Sequence, residues 1–286
     1  MSIVLFGEDI FTATVLQSLV ESNRPVEAVI SPFYQHSNDY RVLKNMAARY
    51  NIPFFHKPDI NDAETEQWLR GIAPRFIISV HLRKILRKNI YSIAEFALNL
   101  HPSLLPRYRG LSPQHQCLIH GDTETGVSIH IIEETIDTGD LVVQYKIPLS
   151  DDMYVFDLHL KMLEMYKHIV VDAVDLLTHT KVNPIKQDQR LSSWFGSLKK
   201  ADRQIDLKKT KFDVYNLIRA VSKPYKGAFF DQVVIWKAHL PARSLEERLM
   251  KEYPLPGIYR LDNAEEELLI RLDEGALLSD DFELLN

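Results

Sequence analysis

Asn99 and His101 stand two residues apart at the close of an apolar run, "EFALNLHP", and Asp137 follows in "EETIDTGD". An amide that donates, an imidazole that can hold a proton and a carboxylate that can tune the imidazole are groups that acyl transfer requires. The attacked carbonyl oxygen gains charge in a tetrahedral intermediate, and a donating amide beside a protonated imidazole can hold it. Alternate residues of a strand share a face, so Asn99 and His101 point to one side while Leu98 and Leu100 point into the core. Pro102 pushes His101 out of the α region and removes a ladder donor, which ends the strand at the carboxyl edge, where open α/β sheets place their ligands. Pro106 and Gly110 then predict a rigid loop. The same residues admit plainer roles: Asn99 and His101 as a strand-end cap, and Asp137 as the carboxylate of an Asp-Thr-Gly-Asp turn.

The elements that must position these groups follow from hydrophobic patterning. "SIVLF" (2–6), "VEAVIS" (26–31) and "RFIISV" (75–80) are short apolar runs of the kind that strands buried on both faces show. Between them, residues 39–50 and 62–72 predict amphipathic helices, each opening on an aspartate, Asp39 or Asp62, suited to an N-cap. The alternation predicts an α/β fold with a doubly wound, Rossmann-like, mostly parallel sheet. Residues 125–147 predict two strands around a loop holding Asp137 and Gly139. A long helix follows, with Leu158, Met162, Met165, Ile169, Ala173 and Leu176 as its buried stripe. From 181 to 203 no period is sustained, which predicts a linker. Residues 204–286 predict a helix over 212–221 and short strands at "AFF", "VVIWKA", "GIYRL" and "LLIRL", a composition suited to a small, partly open, OB-like β-barrel. The expected organisation is therefore a catalytic domain over 1–180, a linker over 181–203 and a C-terminal domain over 204–286.

A chain of 286 residues, 45% apolar and 26% charged, can bury one large core and one small one. The net charge of -5 supplies no global field toward nucleic acid or an anionic membrane. Cys117 is the only cysteine, which excludes an intrachain disulfide and a multi-cysteine zinc site and points to a reducing cytoplasm. The first residues, "MSIVLFGEDIF", meet Glu8 and Asp9 at once, unlike a signal peptide. No apolar run approaches the roughly 18 residues of a membrane span. "FGEDIF" lacks the Gly-x-Gly-x-x-Gly that a nicotinamide-binding dehydrogenase would carry after its first strand. His101, His115, His120 and His130 form no ligand helix of the His-Glu-x-x-His kind, so no metal is expected.

"LNLHPSLLPRYRG", followed after a short helix by "GDTETGVSIHIIEETIDTGDLVVQ", closely resembles the signature of the folate-dependent formyltransferases. That family includes methionyl-tRNA formyltransferase, glycinamide ribonucleotide transformylase and the sugar-nucleotide N-formyltransferases, and the likeness runs with gaps from residue 1 to about 240. The resemblance implies formyl transfer from 10-formyltetrahydrofolate to a primary amine. It assigns the catalytic trio to Asn99, His101 and Asp137: Asn99 and a protonated His101 hold the oxyanion, while Asp137 sustains the charge on His101 and helps relay the amine's proton. "SVHLRKIL" (79–86) looks like the family's pterin loop, which implies Val80, His81, Leu82, Arg83, Ile85 and Leu86 around the ring, together with Ile136 and Gly139. His81 departs from the usual small residue at the loop's start, and by itself reads as a surface histidine.

The glycinamide branch holds a phosphate on a glycine-rich turn after the first strand, where this chain has Gly7, Glu8 and Asp9, the wrong charge for that ligand. Methionyl-tRNA formyltransferases carry a larger barrel with a basic surface, whereas this chain ends in the acidic "DEGALLSDDFELLN". "VYNLIRAVSKPYKGAFF" (214–230) resembles the sugar-nucleotide branch, including the formyltransferase half of the bifunctional lipid A aminoarabinose enzyme. The expected substrate is an amino-sugar nucleotide, with Tyr225 and Trp194 offered to the base and Arg219 to the diphosphate. No nucleic acid or membrane partner is expected, and a homodimer stays open. Methionyl-tRNA formylation and an inactive folate-binding protein are the alternatives.

Overall fold

A computed structural model of the chain describes residues 2–32, 38–180, 183–261 and 267–285. The first two residues of the expected linker, Lys181 and Val182, lie outside the described residues. The chain divides into two compact units. One is Met1–Gly110, Gly126–Ile147 and Lys161–Trp194; the other is Leu111–Thr125, Pro148–Leu160 and Phe195–Asn286.

The elements run β1 (Ile3–Gly7), α1 (Ile10–Glu21), β2 (Val26–Ser31), α2 (Asn38–Arg49), β3 (Phe54–His56), α3 (Ala63–Ile72), β4 (Phe76–Val80), α4 (Lys88–Tyr91), β5 (Phe96–His101), β6 (Arg109–Gly110), α5 (Pro113–Ile119), β7 (Glu124–Ile131), β8 (Leu141–Pro148) and α6 (Val155–His179). After them come β9 (Trp194–Phe195), α7 (Lys211–Val221), β10 (Ala228–Phe230), β11 (Val233–His239), α8 (Arg243–Glu252), β12 (Gly257–Arg260), β13 (Leu268–Arg271) and β14 (Ala276–Leu284).

The first unit is built on a seven-stranded sheet in the order β3-β2-β1-β4-β5-β7-β8. Strands β1 to β5 pair in parallel, and β7 lies antiparallel to β5. This is the doubly wound, mostly parallel sheet that the apolar runs predict. Every residue of β1 and β4 is buried, and each such aliphatic side chain contributes about 1.5–3 kcal/mol relative to exposure. Asp62 caps α3 as expected, its carboxylate accepting the Thr65 N–H at 2.7 Å. In α2, Asn38–Arg49, Asp39 falls within the helix.

The buried stripe of α6 differs from the expected one at two positions. Leu158, Met162, Ile169 and Ala173 are fully buried, but Tyr166 and Leu177 take the places expected of Met165 and Leu176, which are half-buried. A helical stripe drifts when its period departs from 3.6. Tyr166 can lie in the core because its hydroxyl has a partner there, His81 Nε2 at 2.9 Å.

The second unit holds an antiparallel five-stranded sheet in the order β10-β11-β14-β13-β12, curled as a half-barrel, with α5 packed on α7. Thr210 and Asp213 form a reciprocal capping box at the start of α7. Strand β14 is central to this sheet, although "ALLSDDFEL" reads as an acidic tail. Ala276, Leu277, Leu278 and Ser279 are buried, and the acidic residues fall in its outer half. Among the described residues no helix is long and apolar enough to cross a membrane.

Candidate active site

Strand β5 ends at His101, and Asn99 sits opposite His130 on β7 while His101 sits opposite Ser128. Asp137 follows β7 in a turn, with φ 54° in the left-handed region that aspartate tolerates better than most side chains. These elements bring Asn99, His101 and Asp137 together, as the spacing of the first two and the turn around the third predict.

Asp137 is the hub. Its Oδ2 accepts the Gly110 N–H at 2.8 Å and lies 3.6 Å from His101 Nδ1. Its Oδ1 accepts from Asn99 Nδ2 at 3.3 Å and lies 3.4 Å from His130 Nε2. His130 donates through Nδ1 to the Ile131 carbonyl at 2.8 Å, so its Nε2 can accept from Asn99 Nδ2 at 3.1 Å. His101 Nε2 donates to the Tyr108 carbonyl at 2.8 Å. His101 and Asp137 are buried and Asn99 is half-buried, so Asn99 is the group that an incoming molecule meets first. Both Nδ2 hydrogens of Asn99 are engaged, and the longer bond, to Asp137, is the one a substrate oxygen would displace.

Burial works against the charge on Asp137, but His101 and the Gly110 N–H oppose it, and the carboxyl is held well below the usual carboxylate range. Burial also lowers the His101 pKa from 6.5, against the opposing pull of Asp137 and the Tyr108 carbonyl. The imidazole of His101 is thus pulled both ways, by burial toward the neutral form and by Asp137 toward the cation. It is set up to gain a proton at Nδ1, after which each ring nitrogen of the cation faces an acceptor.

His130, Gly110 and the Tyr108 carbonyl also belong to this site, although no motif spacing points to them. His130 did leave a signal: it alternates with Ser128 on the strand that must lie beside β5. His115 and His120 do not join the cluster; each bonds a backbone carbonyl, of Ala220 and Gln116, at 2.7 Å.

The loop after β4 is pinned from beneath. Val80 is fully buried, and Leu82 and Leu86 pack on the core that includes Val4, Phe6 and Ile77. His81 has φ 48°, its Nδ1 lies 3.0 Å from Asp9 Oδ2, and its ring centroid lies 4.2 Å from that of Phe11. It is a half-buried brace, not the surface histidine its type suggests. Glu8, 4% exposed, accepts the Arg83 N–H at 2.8 Å. The carboxylates that disqualify a phosphate turn thus hold this loop. Arg83 and Ile85 remain exposed, as does Ile136. Gly139 answers a packing demand: a Cβ there would lie 1.9 Å from the Ile131 carbonyl oxygen.

Of the residues expected to meet a sugar nucleotide, Trp194 is half exposed, with the Arg109 guanidinium 5.3 Å from its ring centroid. Tyr225 is half-buried; its hydroxyl accepts from Gln114 at 2.8 Å, and its ring lies edge-on to His115. Arg219, expected as an open cation, is 3% exposed and donates to the carbonyls of Ser150 and Met153 and to Asn216 Oδ1. Its guanidinium braces the loop before α6.

A doubly wound sheet that gathers an amide, an imidazole and a carboxylate at its carboxyl edge is the layout of a group transferase suited to acyl units. The chain belongs to the formyl transferase family: residues 2–174 match the model described as "Formyl transferase", and residues 197–284 the one described as "Formyl transferase, C-terminal domain". It is 33% identical over 235 residues to a methionyl-tRNA formyltransferase of Geotalea uraniireducens, covering 80% of this chain and 75% of that protein. It is 31% identical over 252 residues to the bifunctional polymyxin resistance protein ArnA of Wigglesworthia glossinidia brevipalpis, covering 85% of this chain but 38% of that longer protein. Among solved structures, it resembles an N-formyltransferase of Helicobacter canadensis, crystallised with folinic acid and dTDP-3-aminofucose, at a TM-score of 0.74 and 19% identity, covering 98% of both chains. The sugar 3N-formyl transferase WlaRD, crystallised with dTDP and 5-N-formyl-THF, gives a TM-score of 0.73 at 19% identity, over 98% of this chain and 97% of that one.

Proposed function

We propose that this chain is an N-formyltransferase that moves the formyl group of 10-formyltetrahydrofolate onto the primary amine of an amino-sugar nucleotide. The observation that carries formyl transfer is the convergence of Asn99 and His101 on an ionised Asp137. The donor supplies an activated formyl carbon; the residues of this chain orient it and manage charge and proton. Asn99 Nδ2 donates to the formyl oxygen as that oxygen gains charge, giving up its bond to Asp137. Neutral His101 takes up the proton that the attacking amine must lose, and Asp137 stabilises the resulting cation. The loop 81–86, with Ile136 beside the turn of Asp137, holds the pterin through its backbone groups and the exposed Ile85.

The amino-sugar nucleotide is supported by two structural relatives that match essentially the whole chain and were crystallised with dTDP or a dTDP-amino sugar. Either Trp194 or Tyr225 supplies the aromatic face for the base, and Arg219 acts indirectly through the loop it braces. We assign donor binding and chemistry to residues 1–180, joined through 181–203 to a substrate-binding C-terminal domain over 204–286. The methionyl-tRNA reading keeps its place through the 33% identity to the Geotalea protein.

A transfer assay with 10-formyltetrahydrofolate against dTDP-, UDP- and GDP-amino sugars and charged initiator tRNA decides between them. Turnover on a sugar nucleotide is expected. Formylation of the tRNA with no turnover on any amino sugar would give the chain to the second reading.

A further inference from the structure

Asp137 is held on its carbonyl side as well as through its carboxylate, by two buried residues that the proposed chemistry does not use. Gln187, 7% exposed, donates through Nε2 to the carbonyl oxygens of Asp137 at 3.0 Å and Gly139 at 2.7 Å. Its Oε1 accepts from Arg109 Nε at 3.1 Å and Nη2 at 2.5 Å. Arg109, 1% exposed, spends its remaining amino group on Gln189 Oε1 at 2.8 Å and presents a face to Trp194. The next residue, Gly110, gives its N–H to the Asp137 carboxylate. One dipeptide of the "PRYRG" loop therefore grips Asp137 twice, once directly and once through Gln187.

We infer that Gln187, backed by Arg109, is a positioning residue that sets the left-handed turn of Asp137 and so the distance from its carboxylate to His101. The inference rests on the catalytic reading of Asp137 given above. Gln187 lies between residues 174 and 197, in the stretch that neither family match covers. Its stretch reads as a linker in sequence because nothing periodic surrounds it. A primary amide is the side chain the place calls for: it offers two donors to two carbonyls and an acceptor to a guanidinium. A glutamate would keep the Arg109 partner, and strengthen it, but could not donate to either carbonyl.

That asymmetry supplies the test. In the full chain, Gln187→Glu is expected to lower kcat about tenfold to a hundredfold, because a misplaced catalytic group loses rate steeply with distance. KM for both substrates should stay within about twofold, and the acid limb of the kcat profile should move as the Asp137 to His101 distance changes. Arg109→Lys, which keeps the charge but loses the planar fork, should act in the same direction with a smaller loss. Asp137→Asn is measured alongside. If Asp137→Asn abolishes turnover while folded Gln187→Glu keeps wild-type kcat and pH profile, the positioning role is wrong. If Gln187→Glu does not fold, the same outcome for folded Arg109→Lys overturns it. If Asp137→Asn itself retains turnover, the catalytic reading of Asp137 falls instead.

Discussion

Glu8 and Arg83 are 75 residues apart in sequence and joined by one hydrogen bond, the Arg83 N–H donating to the buried Glu8 carboxylate at 2.8 Å. The bond ties the turn after β1 to the loop after β4, the two neighbouring strands at the middle of the sheet. Desolvation raises the Glu8 pKa from 4.5, against the Arg83 N–H and side chain. An acid whose pKa is raised on folding binds more protons in the folded state, so its stability contribution falls as pH rises from the unfolded value through the folded one. Glu8→Gln keeps an acceptor for Arg83 without the charge. Its Tm should exceed that of the wild type at neutral pH, and the difference should shrink as pH falls through the raised folded pKa toward 4.5. A Tm difference independent of pH would show that the charge is not the cause.

His101 makes the opposite kind of prediction for activity. Its folded pKa is lowered from 6.5, so the neutral form is already dominant above that value. If the neutral imidazole accepts the amine's proton, kcat/KM for the donor should be flat in its dependence on His101 between about pH 6.5 and about pH 8, with the acid limb lying lower. For stability, the unfolded state takes up the His101 proton first as pH falls through 6.5, so this group's contribution is lost on the acid side. A loss of kcat/KM as pH rises through 6.5, absent in His101→Ala, would identify the imidazolium as the active form.

His130 holds Asn99 by a single bond at 3.1 Å. His130→Ala should lower kcat by roughly tenfold or more through misplacement of the Asn99 amide, with little change in donor affinity. Isothermal titration with folinic acid separates the two effects; a loss confined to donor affinity would reassign His130 to binding.

Arg219→Ala removes three hydrogen bonds from a buried guanidinium and takes the charged donor from the Ser150 and Met153 carbonyls, of which Ser150 O keeps the Met153 N–H at 3.1 Å. It should cost about 2–4 kcal/mol, as buried charge-assisted bonds do, and lower the Tm. An unchanged Tm with a raised KM for the sugar nucleotide alone would restore the diphosphate role.

Much of this was legible in sequence because local pattern and global fold agree. The buried strands betray themselves as continuous apolar runs, and Asn99 and His101 by strand alternation next to a proline. What stayed hidden depends on contacts between distant segments. His81 reads as a surface residue until Asp9, Phe11 and Tyr166 surround it, and Gln187 as part of a linker until Arg109 reaches it. The acidic outer half of β14 masked a strand whose inner half is core. Arg219 shows the converse: a cation on a helix pattern says nothing about which carbonyls its own loop will offer.

Steady-state turnover tests most directly whether Asn99, His101 and Asp137 carry the formyl transfer. Tetrahydrofolate release from 10-formyltetrahydrofolate is measured at a saturating concentration of a dTDP-linked amino sugar, for the wild type and for Asn99→Ala, His101→Ala and Asp137→Ala. Each variant should fold and lose roughly a hundredfold or more in kcat, because each removes charge stabilisation or proton management at the reacting centre. Near wild-type turnover by folded His101→Ala under those conditions would contradict the account.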